Sequence, residues 1–170
     1  MPKTFYYIFN LFLVFLLEYI IITSFANVMD YKVKQANPKD LEVFAIKDYF
    51  VVVNICYQVG AFISRSSLEY VKIPRVWLFT FVQAINFVVL LLNADWYFAP
   101  SLFFMCPMFL WVGLMGGASY VNVVNCLLQL DRLEQSERES AISLSLIFND
   151  IGVLLAAVCS VMFDNWYFQI

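Results

Sequence analysis

The chain has 170 residues, of which 63% are hydrophobic, 19% aromatic and only 14% charged, with a mean hydropathy of +0.79. That is too apolar for a soluble domain, where apolar residues average about 45–50%. The net charge of −3, with no basic or acidic tail, excludes nucleic acid as a partner.

Residues 5–29, from Phe5 to Met29, form one apolar run in which Glu18 is the only charge. A signal peptide competes as a reading, with Lys3, the Leu11–Leu17 segment and Ser24-Phe25-Ala26 as its three parts. The length of the run, its aromatic start and its central carboxylate favour a membrane span instead. Residues 30–43 read as a polar loop containing Asn37-Pro38.

Residues 44–64 are the least hydrophobic expected span. Lys47, Asn54, Gln58 and Arg65 follow at steps of 7, 4 and 7. On a continuous helix these fall within about 40° of arc and draw one polar line. Such a line either lines a cavity or consists of two snorkelling cations with two amides holding neighbouring helices between them.

The third span, 75–94, carries Thr80, Gln83, Asn86 and Asn93 on one face, a polar stripe without charge. Asn93-Ala94-Asp95-Trp96-Tyr97 reads as a turn with interfacial aromatic anchors. The fourth span, 99–127, lies in residues 96–130, thirty-five positions without a charge. Gly113, Gly116 and Gly117 clear side chains from one strip, so another helix can approach closely. Tyr120 and Asn122 follow in the same apolar setting, and Pro107 is expected to kink the first half.

Residues 128–140 read as a charged loop, and 141–163 as a fifth span with Asn149-Asp150 about 12 Å inside it. Five spans put six cations (Lys3, Arg65, Lys72, Arg75, Arg132 and Arg138) on one side against four lysines on the other. That bias places the loops 65–75 and 128–140 in the cytosol. The fold class is therefore an all-α polytopic membrane protein with about five transmembrane helices.

Glu18 and Asp150 are the intramembrane carboxylates, and such a charge costs about 2.5–3.5 kcal/mol at mid-bilayer. Each is a candidate either for proton coupling or for neutralising Lys47 or Arg65. Lys47 and Arg65 offer cationic groups suited to an anionic solute, and a guanidinium pairs well with phosphate. There is no histidine, no G-x-S-x-G, no phosphate-binding glycine loop and no carboxylate cluster, so neither an enzyme nor a metal or cofactor site is expected. Cys56, Cys106, Cys126 and Cys159 sit in apolar runs without a CxxC pair and read as small core residues.

The blocks Tyr57–Leu68, Gln83–Asn86, Gly113–Asn122 and Asn149–Gly152 together closely resemble the C-terminal half of the battenin family. That is the family of the lysosomal membrane protein behind juvenile neuronal ceroid lipofuscinosis. Gly60-x3-Ser64-Arg65-x-Ser67 is also reminiscent of the major-facilitator loop pattern G-x-x-x-D-R-x-G, with serine at two of its positions. The resemblance implies half of an eleven-span, facilitator-like protein of the lysosomal or vacuolar membrane. It further implies a link to glycerophosphodiester efflux, lysosomal pH homeostasis and basic amino acid balance.

Family positions that carry over as functional are Glu18, Gln58, Arg65, Gln83, Gly116, Gly117, Tyr120, Asn122 and Asp150. Tyr70 and Ile73 fit the sorting pattern Y-x-x-Φ on the expected cytosolic side. The expected partners are the lipid bilayer, an anionic small solute such as a glycerophosphodiester, and the missing N-terminal half or a second copy. The rival expectation is a non-transporting membrane organiser that acts on trafficking or pH through protein partners.

Overall fold

The computed structural model describes residues 2–39, 43–67, 72–130 and 135–168, and among them every regular element is a helix. α1 (Pro2–Ile20) runs through a single π-helical segment, Ile21–Phe25, into α2 (Ala26–Ala36). The rod is therefore longer than the expected span 5–29. Residues 30–36 contain no helix breaker, and the i,i+4 ion pair Asp30–Lys34 (2.8 Å) supports the added turns. The helix ends at Asn37, whose non-helical backbone suits the residue before Pro38.

α3 (Phe44–Lys47) is one turn, separated from α4 (Tyr49–Ser66) by Asp48 at φ −107°. α5 (Trp77–Trp96) ends at Tyr97, which takes the left-handed conformation with φ 53°. The Lys32 ammonium donates to the Ala94 and Asp95 carbonyls at 2.6 and 2.8 Å, placing a cation on the open end of α5. α6 (Leu102–Leu128) opens on Ser101, whose hydroxyl accepts the Phe103 amide, and continues as helix through Pro107. α7 (Gln135–Phe168) is far longer than the expected 141–163. The charged residues from 135 onward form its first turns rather than a loop, since they include neither Gly nor Pro and Glu137 suits a helix N-terminus.

Among the described residues, four helical stretches are long and apolar enough to cross a bilayer: Thr4–Ala36, Trp77–Trp96, Leu102–Leu128 and Gln135–Phe168. α4, the remaining expected span, has 18 residues, about 27 Å at 1.5 Å per residue. Its Asn54, Gln58 and Arg65 keep it less apolar than those four.

α4 lies along α6 in the most extensive helix contact of the molecule, and α1 along α7 in the next. Both seams rest on glycine. A Cβ on Gly113 would lie 2.1 Å from the Tyr57 carbonyl oxygen, one on Gly60 2.1 Å from that of Leu110, and one on Gly117 2.0 Å from Ser64 Oγ. Tyr57 faces Gly113 and Ala61 faces Gly117, so the two helices rise in parallel, and α5, which follows α4 in the sequence, packs on α1 and α6. Gly152 of α7 plays the same part against the Phe12 carbonyl of α1.

One apolar core gathers Ile21, Phe25 and Met29 of the rod with Tyr49 and Val53 of α4 and Phe109 of α6. A second joins Leu11, Val14 and Phe15 to Val76, Phe79 and Val123. The outer faces of α5 and α7 carry exposed Phe81, Ile85, Ile147 and Leu154, as a lipid-facing surface would.

Gly113→Ala is expected to destabilise the detergent-solubilised protein by about 1–3 kcal/mol, the scale of core overpacking, whereas Val88→Ala on the outer face of α5 leaves it near the parent. Thermal unfolding followed by circular dichroism measures both. An unchanged midpoint for Gly113→Ala would show that α4 and α6 do not meet at these glycines.

Candidate functional site

The last turn of α4 directs Arg65 over the ring of Tyr120 on α6, with the guanidinium carbon 5.5 Å from the ring centroid. This is cation–π range. Phe15 of α1 holds two tyrosines in place, Tyr120 edge-on at 6.4 Å and Tyr19 stacked at 6.1 Å. Tyr19 in turn lies within electrostatic reach of Arg65 and of Asp150 on α7. Four helices thus bring Tyr19, Arg65, Tyr120 and Asp150 to one open face. Gln58, two turns before Arg65, is exposed as well.

Beneath this face Glu18 is almost fully buried, at 1% exposure. Its carboxylate presses on the glycine strip of α6, where a Cβ on Gly116 would lie 1.9 Å from Glu18 Oε1. The Tyr57 hydroxyl is its hydrogen-bonding neighbour. Among the described residues Glu18 Oε2 has no hydrogen-bond partner, although a buried carboxylate oxygen ordinarily finds one. Arg65 lies within electrostatic reach of Glu18 but forms an ion pair with neither Glu18 nor Asp150.

Several residues read from the sequence lie elsewhere. Lys47 belongs to the one-turn α3, and the break at Asp48 removes it from the line that Asn54, Gln58 and Arg65 follow along α4. Asn54 is only half-buried and donates to the Phe50 carbonyl of its own helix at 2.9 Å. Gln83 and Asn86 are buried inside the bundle, where the Asn86 amide donates to Gln83 Oε1 at 3.2 Å. The same face of α5 binds α1, with the Thr80 hydroxyl donating to Asn10 Oδ1 at 2.8 Å. The α5 stripe is thus a seam between helices and does not reach the open face.

Asn122 is likewise occupied. It accepts the Ile73 amide at 2.7 Å and donates to the Ala118 carbonyl at 2.9 Å, which pins the segment entering α5. Tyr70 of the sorting pattern lies outside the described residues. Asp150 keeps its place on α7 beside Asn149, whose amide donates to it at 3.2 Å.

Sequence reading passed over a polar cluster at the π segment. Ser24 and Asn27 both donate to the Asp164 carboxylate, Asn27 at 2.9 Å, and Thr23 shares a 2.7 Å bond with Ser160. The signal was available, since Thr23, Ser24 and Asn27 are the polar positions that follow Glu18 in an otherwise apolar run. Asp164 escaped notice because it falls one residue beyond the expected fifth span. Among the described residues, no group of three or more metal-ligating side chains converges.

The family model described as "CLN3 protein" matches residues 1–170. The chain is 33% identical over 158 residues to a Dictyostelium discoideum protein named Battenin, covering 93% of this chain and 36% of that one. It is 34% identical over 130 residues to Protein btn1 of Aspergillus fumigatus, covering 76% and 28%. Against Battenin of Canis lupus familiaris it is 35% identical over 104 residues, covering 60% and 23%. The chain therefore spans about a third of the length of the curated relatives it matches. No solved structure matches it.

Asp164→Ala leaves the Ser24 hydroxyl and the Asn27 amide without their acceptor, a loss of about 1–3 kcal/mol for buried polar groups. Hydrogen exchange at residues 21–27 is expected to quicken in this variant while the α4–α6 seam keeps its protection. Unaltered exchange across the π segment would show that Asp164 does not hold it.

Proposed function

Because this chain belongs to the CLN3 protein family, we propose that it forms one lobe of a transporter-like protein of the lysosomal or vacuolar membrane, with Arg65 as the binding group for an anionic solute. The observation that carries this reading is the state of Arg65. It is exposed, steadied by the Tyr120 ring, and not ion-paired with either nearby carboxylate. An exposed guanidinium held in that condition on the last turn of α4 is open to an anionic partner. A phosphodiester suits a guanidinium, which offers two parallel donors to two phosphate oxygens. Glycerophosphodiesters are accordingly the proposed solute class, with Gln58 placed to assist on the same open face.

In this reading Glu18 is the proton-coupling group. It sits just below the solute face with a carboxylate oxygen unsatisfied, so changes in its charge would be felt at Arg65. Asp150, also within electrostatic reach of Tyr19, balances the cation. A single lobe presents half a cavity, and the rest of the longer protein or a second copy would close it. Roles in lysosomal pH and basic amino acid balance would follow from such coupled movement.

The openness of that polar face also favours a second reading, in which it docks another membrane protein and moves no solute. Flux of a radiolabelled glycerophosphodiester into liposomes holding only the longer protein that carries this lobe separates the two. Under the transporter reading, Arg65→Ala lowers flux at least roughly tenfold at equal abundance, the scale of one charge-assisted hydrogen bond, and Arg65→Lys retains part of it. Equal flux in the parent and Arg65→Ala removes Arg65 from the site. No flux in the parent favours the docking reading, for which Asp150→Asn loses a partner in pull-downs.

A further inference from the structure

The glycines that join α4 to α6 also determine which other residues of the two helices stand opposite each other. Gly60 meets Leu110 closely enough that a Cβ would lie 2.1 Å from the Leu110 carbonyl oxygen. Because the helices are parallel, moving about one turn back on each keeps the register. That step leads from Gly60 to Cys56 and from Leu110 to Cys106. The two thiols lie within hydrogen-bonding reach of each other. Both cysteines are free and only half-buried.

Glycine contacts of this kind bring helix backbones closer than the usual axis separation of about 8–10 Å. A disulfide requires such an approach, with Cα atoms about 4.4–6.8 Å apart. Cys106 lies about one turn inside α6 and Cys56 about two turns inside α4, on the side of the bundle where both helices begin. Both are half-buried rather than enclosed, so a small apolar disulfide can reach them. Cys126 lies far along α6, and Cys159 stands exposed on α7.

We propose that Cys56 and Cys106 form a dithiol modification site that closes as an intramolecular disulfide joining α4 to α6. With a small-molecule disulfide RS–SR as oxidant, one cysteine thiolate attacks a sulfur of the reagent, forming a mixed disulfide and expelling RS⁻. The second cysteine thiolate then attacks the protein sulfur of that mixed disulfide, forming the Cys56–Cys106 bond and expelling the second RS⁻. The two thiol protons end on the two RSH molecules, and the electron pair lost by the protein reduces RS–SR.

The test is peptide mapping by mass spectrometry after treating the purified full chain, in lipid vesicles, with dipyridyl disulfide. The proposal expects a linked peptide pair containing Cys56 and Cys106, with pyridylthio groups retained only on whichever of Cys126 and Cys159 reacts. In Cys56→Ser the linked pair disappears and Cys106 instead keeps a pyridylthio group. Cys126→Ser, in which the pair is intact, still gives the linked peptide. Pyridylthio groups on both Cys56 and Cys106 with no linked peptide would overturn the proposal. So would links that join either cysteine to Cys126 or Cys159 as often as to each other.

Discussion

Backbone contact between α4 and α6 is the constraint on which the rest of the molecule depends. In a bilayer the hydrophobic effect does little to bring helices together, so association relies on close packing and polar contacts. Gly60, Gly113 and Gly117 supply the first, because each sits where a side chain would strike the opposite helix. Glycine costs about 1 kcal/mol in a helix interior through lost conformational freedom, and the close contact offsets that cost. From this seam follow the position of Tyr57 beside Glu18 and of Arg65 over Tyr120.

Much of this was legible in the residues themselves. The apolar runs located the long helices, and the Gly113-x3-Gly117 spacing drew attention to the strip that α4 occupies. The ends of elements were harder to read. A polar segment such as Asp30–Ala36 resembles a loop in composition, yet it contains no breaker and its Asp30–Lys34 pair keeps it helical. Polarity marks where a helix leaves the membrane, which need not be where the helix ends. The start of α7 illustrates the same distinction.

The open face was legible only in part. Periodicity aligned Asn54, Gln58 and Arg65 correctly, because α4 is continuous over them. It misplaced Lys47, because a single non-helical residue at Asp48 breaks the phase on which the angular reckoning depends. The amide stripe of α5 illustrates a different ambiguity. Helical phase shows that Gln83 and Asn86 share a face, but whether that face meets water, solute or another helix depends on tertiary packing. Here α1 and its Asn10 settle the matter. Tyr19 gave no periodic signal at all, and its place within electrostatic reach of Arg65 and Asp150 comes from how α4 and α7 pack around α1.

The π segment between α1 and α2 bears on which changes of chain length the protein can absorb. A π turn holds one residue more than the α turn it replaces. Deleting one residue from Ile21–Phe25 would restore an ordinary α-helix and leave α2 close to the face it now presents, because the surplus residue is taken up within that one turn. Asn27 would stay beside Asp164, and Lys32 at the end of α5. The π turn thus absorbs the surplus while one rod offers its Glu18 side to α6 and its Asn27 side to α7. At this point the chain can shorten by one residue without its two halves losing register, which a deletion inside α1 or α2 would not allow.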